Sequence, residues 1–376
     1  MNILIPTADY PPIEGGIATV TLQLSRELAA AGHAVTVVAP YFRGQETFDA
    51  NEAVSVVRYR GYRLGWLRLL PMLAATLPRA KSADAILGIN IAYGGLIGLT
   101  ARRLFDTPYV TFGYAYEFLK FRRVPPLAAL LRRAYKRSTL VVAISAFTRE
   151  RLVEFGVPES LIETILPGAP QTEPLAPEKI EEIKRVYNLN GHRIVLAVGR
   201  MIPRKGHATL VRAMPKILES HPETMLVCAG RGPCLDETAE LARALGVADH
   251  VLLPGYLPDD HVAALYQACD VFALPTGEDA GGQVEGFGLV FAEAQAHGKP
   301  VVAGRSGGVT DAVIDGETGL LVPPEDPESL ADSITSLLSD PKKAAALGAK
   351  AKDRVARELN WPHFTQRLLE ALGERT

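Results

Sequence analysis

The chain has 376 residues, of which 48% are hydrophobic and 22% charged, so it is long enough for about two domains of ordinary size. This composition excludes a disordered, collagen-like or coiled-coil protein. Its three cysteines are too few for a disulfide scaffold and are typical of a reducing compartment.

The net charge of −2 conceals a difference between the two halves. Residues 1–170 contain 19 Lys and Arg against 13 Asp and Glu, a net charge of +6, whereas residues 171–376 contain 21 against 29, a net charge of −8. Residues 58–137 alone contain 15 basic and 3 acidic residues. Such a basic excess predicts an anionic partner for the first half.

The sequence predicts neither a secretion signal nor a membrane span. Residues 1–12 lack a basic start and a cleavage site, and uncharged apolar runs stay below the roughly 20 residues that cross a bilayer. We therefore expect a cytoplasmic protein, with peripheral attachment to the inner face of the membrane as an alternative.

The first half alternates short apolar strands with helices. A strand at residues 2–7, a helix over residues 17–31 with apolar residues at helical spacing, and a β-branched strand at residues 34–39 form a βαβ unit with a parallel sheet. Further strands are predicted at residues 85–89, 109–112 and 140–144.

A proline-rich stretch at residues 166–190 predicts a linker between domains, and residues 177–187 predict a charged helix within it. Strand–helix alternation then restarts. The predicted strands cover residues 193–198, 225–229, 250–253, 271–274, 300–303 and 319–322. The predicted helices cover residues 207–220, 234–245, 259–268, 289–297, 329–338 and 342–372, the last interrupted near Trp361-Pro362.

The alternation predicts an α/β fold with two doubly wound Rossmann-like domains facing a cleft. We place the N-terminal domain at residues 1–170, the linker and connecting helix at residues 171–190, and the C-terminal domain at residues 191–376. Ligands of such folds bind at the carboxyl ends of the strands and between domains, so the loops after the strands are the candidate site.

Three basic residues follow the strand predicted at residues 193–198. Arg200, Arg204 and Lys205 lie in the loop at its carboxyl end. Arg presents a bidentate fork to phosphate and Lys a point charge, so together they predict a diphosphate site. Taken alone, such a loop is more often simply solvated, but its position at the expected cleft favours the ligand.

Two carboxylates, Glu285 and Glu293, follow the strand predicted at residues 271–274. Eight helical steps span about 12 Å, similar to the span from a nucleotide ribose to the sugar on its diphosphate, and a helix start between them would bind phosphate. The segment predicts a nucleotide-sugar site, although Glu293 alone is typical of an exposed helix carboxylate. The intervening residues assigned to this site are Gly286, Phe287, Gly288 and Leu289.

Two further glycine-containing loops give weaker signals. Gly15 and Gly16 precede the first helix, where paired glycines let a phosphate approach the backbone. Residues 304–311 follow a strand and are small enough to close on a ligand. Both loops are equally typical of ordinary strand–helix turns.

Together these residues resemble the retaining glycosyltransferases of family four, which have the GT-B fold. The resemblance implies that the C-terminal helix returns to the N-terminal domain. The resemblance spans nearly the whole chain, including the phrases RELAAAGHAVTVVAP, VVAISAFTRERLVEFGVP and GETGLLVPPEDPESLA. Residues 281–308, GGQVEGFGLVFAEAQAHGKPVVAGRSGG, most resemble the phosphatidylinositol mannosyltransferase-like branch.

The resemblance implies a role for each matching residue. Arg200 and Lys205 would bind the donor diphosphate and stabilise the leaving group. Glu285 would lie beside the hydroxyls of the donor sugar, and Glu293 would hold the ribose hydroxyls. We therefore predict Arg200, Lys205 and Glu285 as catalytic residues.

The resemblance also implies transfer with retention, with no cofactor and no metal ion. Gly15 and Gly16 would approach the diphosphate from the N-terminal domain. The adjacent carboxylates Asp259 and Asp260 are interpreted as a helix cap and not as metal ligands.

One departure from the family's pattern concerns a histidine. Family members commonly carry it after the strand that matches residues 109–112, where it positions the donor sugar. Here that loop reads TFGYAYE, and there is no histidine between Ala34 and Gly191. Tyr114, Tyr116 and Glu117 are candidates to replace it, although the tyrosines are also typical of packing residues.

Basic and apolar residues interleave in residues 58–77 and 119–137. Trp66 beside Arg63 and Arg68 predicts an interfacial element on an anionic membrane, with a solvated helix face as the alternative. Nucleic acid is disfavoured, because none of its binding motifs accompanies the charge.

We therefore predict a hexosyltransferase that uses a GDP- or UDP-linked sugar and acts on a lipid-linked or glycan acceptor, in the biosynthesis of cell-envelope polysaccharide. Two alternatives remain open at this point. One is an epimerase or phosphorylase on the same double fold, and the other is a non-catalytic sensor of nucleotide sugars.

Overall fold

The computed structural model describes residues 1–114, 124–170 and 172–375. They divide into two compact units, Met1–Pro167 with Trp361–Thr376, and Gly168–Asn360. Each unit is built on its own parallel sheet, which confirms the predicted α/β class with two doubly wound domains.

The described part of the first unit contains a seven-stranded sheet in the order β3-β2-β1-β4-β5-β6-β7, with every neighbouring pair parallel. Its strands are β1 (Asn2–Pro6), β2 (Ala34–Pro40), β3 (Ser55–Tyr59), β4 (Ala85–Gly88), β5 (Tyr109–Gly113), β6 (Leu140–Ala143) and β7 (Ile162–Thr164). Its described helices before the linker are α1 (Gly16–Ala30), α2 (Glu46–Asn51), α3 (Leu69–Ala80), α4 (Leu96–Phe105), α5 (Pro125–Arg137) and α6 (Ala146–Glu154).

The two strands that the sequence analysis missed, β3 and β7, form the edges of this sheet. The central strands are continuous apolar runs because helices cover both of their faces. Edge strands carry charge instead: Arg58 lies in β3 and pairs with Asp49, and Glu163 lies in β7.

The second unit is a six-stranded parallel sheet in the order β10-β9-β8-β11-β12-β13. Its strands are β8 (Arg193–Val198), β9 (Thr224–Ala229), β10 (Val251–Gly255), β11 (Val271–Leu274), β12 (Val301–Gly304) and β13 (Leu320–Val322). Its helices are α7 (Pro177–Val186), α8 (His207–Ser220), α9 (Leu235–Ala244), α10 (Asp259–Ala268), α11 (Leu289–Ala296), α12 (Val309–Ala312), α13 (Pro327–Ser339) and α14 (Pro341–Arg357).

The last helix, α15 (Trp361–Gly373), belongs to the first unit. Phe364 stacks on Phe112 of β5 with ring centroids 6.4 Å apart, and Arg367 pairs with Glu163 at 2.7 Å. The expected return of the C-terminal helix is therefore confirmed. The predicted bounds had included this helix in the C-terminal domain, residues 191–376. It lies in the first unit instead, because its apolar face packs on the first sheet.

The connecting helix α7 also differs from the predicted bounds, since it forms part of the second unit. Ile183 of α7 is buried, and the hydroxyl of the following Tyr187 lies 2.7 Å from Nδ1 of His261 in α10. These contacts make the helix part of a domain and not part of a free linker.

In the second sheet the strand order reverses between β8 and β11, which are neighbours although two strands separate them along the chain. Ligands of open α/β sheets bind at such a reversal, beyond the carboxyl ends of the strands. The loops after β8 and β11 are therefore the place to look for a site. Among the described residues, every helix is too short or too polar to serve as a membrane span.

Candidate active site

The loops after β8 and β11 meet in an ion cluster at the reversal of the second sheet. The carboxylate of Glu285 accepts 2.7 Å contacts at Oε2 from both Arg204 and Lys205. All three side chains are mostly buried, with Glu285 at 15% exposed and Lys205 at 9%. We call Arg204, Lys205 and Glu285 the ion trio.

Backbone contacts place the cations of the trio. A 3-10 turn over Pro203–Lys205 orients Arg204 and Lys205, and the carbonyl of Arg204 accepts a 2.8 Å hydrogen bond from Gly277 after β11. Gly206 ends the turn with a φ of 75°, and a Cβ there would lie 2.4 Å from the carbonyl oxygen of Pro275. Glycine is therefore required for the two loops to approach this closely.

The electrostatics of the trio favour an anionic ligand. Burial works to raise the pKa of Glu285, but the charges and hydrogen bonds of Lys205 and Arg204 outweigh it and lower the pKa to about 2. Glu285 is thus ionised at neutral pH, and the trio carries a net charge of +1. It retains attraction for a phosphate group even with its internal ion pairs formed.

Arg200, the other predicted donor ligand, lies at the exposed end of the same loop. In the described part of the chain its side chain forms no ion pair. The structure therefore joins Lys205 to Glu285, as predicted for a common site, but it makes Arg204 and not Arg200 the second cation at this carboxylate. The single turn of 3-10 helix brings Arg204 and Lys205 to the same carboxylate.

The segment from Glu285 to Glu293 crosses from loop to helix. Gly286 follows Glu285, the side chain of Phe287 is buried at 2% exposed, and Gly288 is the N-cap of α11, which begins at Leu289. The backbone of this turn, and not the phenylalanine ring, is the part available to a ligand. The predicted helix start is where the sequence analysis placed it.

Glu293 lies on α11 and accepts a 2.9 Å hydrogen bond at Oε2 from the hydroxyl of Tyr266 on α10. Burial raises its pKa, opposed by the Tyr266 hydrogen bond and the charge of Lys205. Glu293 is therefore a partly buried, partnered carboxylate and not the exposed helix residue that was the alternative.

The loop after β12 contacts the backbone of the trio. The amide of Gly308 donates a 2.8 Å hydrogen bond to the carbonyl oxygen of Glu285. This loop, predicted from residues 304–311, thus supports the site from the main chain.

The interpretation of Asp259 and Asp260 as a helix cap is wrong in detail. The N-cap of α10 is Pro258, and neither carboxylate forms a capping hydrogen bond. Both lie in the first helical turn, where they complement the helix dipole, and Asp260 also pairs with Lys179 at 3.6 Å. Within the described ranges no group of three or more His, Cys, Asp and Glu is placed to hold a metal ion.

The remaining predicted residues belong to the first unit. Gly15 is the exposed N-cap of α1, and Gly16 is the first residue of that helix. Tyr114 comes directly after β5. Tyr116 and Glu117 lie outside the described residues, so the replacement of the family's histidine stays a prediction.

The interfacial element predicted around Trp66 consists of a 3-10 turn, Tyr62–Arg68, followed by α3. Trp66 is 77% exposed and Leu70 63%. The guanidinium of Arg68 lies over the ring of Tyr93 at 4.2 Å from its centroid. We call residues 62–80 the interfacial segment.

Sequence reasoning did not single out two buried residues near the site, Tyr266 and His207. His207 begins α8 two residues after Lys205 and is 2% exposed, and burial, aided by the charge of Lys205, lowers its pKa to about 4. Tyr266 comes from a helix of another βα unit, and its hydrogen bond to Glu293 follows no sequence spacing. For His207 the adjacency to Lys205 was the available signal.

Two family models match the chain. The model described as glycosyl transferases group 1 matches residues 179–354, and the one described as glycosyl transferase 4-like domain matches residues 15–168. These matches cover most of the second unit and most of the first.

Two mycobacterial relatives match along nearly their full length. The chain is 32% identical to the GDP-mannose-dependent alpha-(1-6)-phosphatidylinositol monomannoside mannosyltransferase of Mycolicibacterium smegmatis, covering 99% of this chain and 98% of the relative. It is 32% identical to the protein of the same name from Mycobacterium tuberculosis, with the same coverage of 99% and 98%.

Solved structures share the fold at lower identity. The Anabaena protein HepE in complex with UDP and glucose superimposes with a TM-score of 0.84 at 21% identity, covering 100% of both chains. The sucrose-phosphate synthase of Thermosynechococcus elongatus superimposes with a TM-score of 0.79 at 24% identity, covering 99% of this chain and 98% of that one.

Proposed function

The chain belongs to the group 1 family of glycosyltransferases with the GT-B fold, and we propose that it transfers mannose from GDP-mannose to a phosphatidylinositol-type acceptor, with retention and without a metal ion. Hexosyl transfer from a nucleotide sugar follows from the family. The relatives favour transfer over the epimerase, phosphorylase and sensor alternatives. Donor, acceptor, stereochemistry and metal independence are the proposal.

The observation that carries the proposal is the ion trio at the reversal of the second sheet. Its net positive charge lies beside the start of α11, whose free amides favour anions. A nucleotide diphosphate would bind there, with Lys205 and the exposed Arg200 on its phosphates. The printed names of the two mycobacterial relatives support GDP-mannose as the donor.

In the proposed reaction the bond between the sugar C1 and the diphosphate oxygen breaks, and the electron pair leaves with the diphosphate. Lys205 and Arg200 would stabilise that charge from fixed positions, which is the form of catalysis that contributes most in such sites. The acceptor oxygen would then bond to C1 on the same face, and its proton would pass to the departing diphosphate oxygen.

Metal independence is proposed because this chain supplies the positive charge itself. In the trio two cations face one carboxylate, and Arg200 adds a third positive charge to the same loop. Arg200 thus raises the net charge from the +1 of the trio to +2, which balances the two negative charges on the diphosphate of a nucleotide sugar. Glu285 would keep Lys205 in place and contact the donor sugar.

The proposed acceptor is lipid-linked, and the interfacial segment supports it. Leu64, Trp66, Leu67 and Leu70 are all exposed there, and residues 58–83 contain basic residues and no acidic one. Exposed apolar groups beside basic charge are typical of a surface that binds anionic lipid. We propose that this segment docks the enzyme on an anionic bilayer, where its acceptor resides.

The test is a transfer assay with the purified chain. We expect mannose to move from GDP-mannose to phosphatidylinositol-type lipid in vesicles, with UDP-glucose as the competing donor and EDTA leaving the rate unchanged. The anomeric configuration of the product, read by NMR, checks retention. Transfer only from UDP-glucose, an inverted product or abolition by EDTA would each overturn the corresponding part of the proposal.

A further inference from the structure

The carboxylate of Glu293 is hydrogen-bonded to a tyrosine, Tyr266, that the sequence analysis did not identify. The hydroxyl of Tyr266 donates a 2.9 Å hydrogen bond to Oε2 of Glu293, and Tyr266 is 3% exposed. A carboxylate accepts only, so the phenol must be the donor. One oxygen of Glu293 is thereby fixed, and Oε1 is left to a ligand.

The ring of Tyr266 is itself locked by packing. It stacks on His297 with centroids 5.5 Å apart and planes 15° apart, and it lies 5.7 Å from the ring of Phe272 in β11. These contacts come from the strand and from the end of the helix that carries Glu293. The hydroxyl therefore has a fixed position relative to α11.

We infer that Tyr266 is a positioning residue for ribose recognition, holding Glu293 in the rotamer that accepts hydrogen bonds from the ribose hydroxyls of the donor. The inference rests on the proposed function, in which Glu293 binds the ribose. Without that hydrogen bond the side chain of Glu293 could take more than one rotamer, and ordering it on binding would weaken affinity. Tyr266 removes that loss before the ligand arrives.

This arrangement predicts where a hydroxyl deletion should be felt. Ribose binding is made equally in the ground and transition states, so losing it raises KM and leaves kcat in place. Tyr266→Phe keeps the stack on His297 and Phe272 and removes only the hydrogen bond. We expect its KM for GDP-mannose to rise about 10-fold, as for loss of a hydrogen bond to a charged group, with kcat within about 2-fold of the wild type.

The control is Tyr187→Phe, in the same unit. It also deletes a tyrosine's hydrogen bond, the 2.7 Å contact of a half-buried hydroxyl to His261, but where α7 packs on α10 and not at Glu293. We expect a comparable small change in melting temperature for both variants, and a changed KM only for Tyr266→Phe.

The inference is tested by measuring nucleotide binding. The ligands are GDP, UDP and their 2′-deoxy and 3′-deoxy forms, and the proteins are the wild type, Tyr266→Phe, Glu293→Gln and the double variant. We expect Tyr266→Phe to weaken GDP about 10-fold and to leave the deoxy form that lacks the Glu293-bound hydroxyl almost unchanged. The double variant should bind GDP no more weakly than Glu293→Gln alone.

Equal weakening of ribose and deoxyribose nucleotides in Tyr266→Phe would overturn the inference, as would unchanged GDP binding or additive losses in the double variant. Because GDP and UDP share the ribose, a wild type that prefers UDP overturns the proposed donor and leaves the role of Tyr266 intact. A wild type that binds neither nucleotide overturns both.

Discussion

The main-chain oxygen of Glu285 accepts a 2.8 Å hydrogen bond from the amide of Gly308, on the loop that follows the neighbouring strand β12. The side chain of Glu285 meanwhile binds Arg204 and Lys205. The same residue is thus fixed through its backbone by one loop and through its carboxylate by another. The position of the trio therefore depends on the loop of residues 304–311 as well as on the charges.

The first prediction concerns Gly307, next to that hydrogen bond. Its φ is 54°, and a Cβ would lie 2.3 Å from the carbonyl oxygen of Glu285. Because that neighbour is backbone, Gly307→Ala must displace the turn that carries Glu285. We expect a loss of stability of about 2–3 kcal/mol and a clear fall in donor affinity, measured by urea unfolding and by GDP binding.

The matched control is Gly316→Ala. Gly316 has a φ of 75° but nothing within 4 Å of an added Cβ, so it carries the backbone strain of a positive φ, about 1 kcal/mol, without the clash. The prediction is wrong if both variants lose the same stability and the same GDP affinity.

The sequence was enough to predict the fold. Apolar runs at strand length, such as the one that forms β8, alternate with helices of apolar periodicity, and this pattern is local. The edge strands β3 and β7 were not predicted, because half-exposed strands that carry charge lack this apolar pattern. The return of α15 was expected from the family resemblance, while its contact of Phe364 with Phe112 depends on residues distant in the chain.

The site was predicted less completely, and the reason is geometric. Spacing could place Lys205 and Glu285 in loops at the same sheet edge, but not decide which arginine contacts the carboxylate. A one-turn 3-10 helix selects Arg204. The partner of Glu293 was out of reach as well, because Tyr266 lies 27 residues away on another helix.

The second prediction concerns Lys205. Lys205→Ala removes one of the two cations from Glu285 and the charge proposed to stabilise the leaving diphosphate. We expect kcat to fall by about 10²–10³ while the chain stays folded. The control, Lys216→Ala, removes a surface lysine paired with Glu328 and Asp332 in the same unit. Mannosyl transfer near the wild-type rate in Lys205→Ala would contradict the proposed mechanism.

The third prediction follows from the pKa of Glu285, lowered to about 2 from the ordinary 4.5. A carboxylate with a depressed folded-state pKa stabilises the protein above 4.5, and that stabilisation is lost as the pH falls toward 2. The loss is on the order of 3 kcal/mol.

Glu285→Gln should therefore be less stable than the wild type at pH 7, because it leaves Arg204 and Lys205 without their carboxylate. The difference in unfolding free energy between the two proteins should decrease as the pH is lowered from 4.5 to 3. Urea unfolding of both proteins across this range measures it. A gap that is independent of pH would show that the ion trio does not hold Glu285 ionised.

The fourth prediction concerns the buried His207 and the dependence of stability on pH between 6.5 and 4. The pKa of His207 is lowered to about 4, so between pH 6.5 and 4 the unfolded chain takes up a proton that the folded chain refuses. The free energy of unfolding must then decrease as the pH is lowered from 6.5 to 4, by about 3 kcal/mol in total. His297, with its pKa also near 4, adds to the same slope.

His207→Phe keeps a ring in the buried position and removes the titration. Neither ring nitrogen of His207 has a hydrogen-bond partner among the described residues, so little is lost at pH 7. We expect a flatter stability curve from pH 6.5 to 4, with the part due to His297 remaining. A curve parallel to that of the wild type would mean that His207 is accessible to protons in the folded state.

The fifth prediction concerns the interfacial segment. Trp66 and Leu70 are the most exposed apolar side chains on it, and inserting such a side chain into a bilayer contributes about 1.5–3 kcal/mol, while each nearby basic residue adds about 1 kcal/mol on an anionic surface. We expect the wild type to sediment with phosphatidylglycerol vesicles at low salt and less so at high salt.

The double variant Trp66→Ser with Leu70→Ser should bind at least 10-fold more weakly, whereas Leu245→Ser, an exposed apolar position on the second unit, should bind like the wild type. Equal binding to neutral phosphatidylcholine vesicles would remove the electrostatic part of this argument, and unchanged sedimentation of the double variant would move the docking surface elsewhere on the chain.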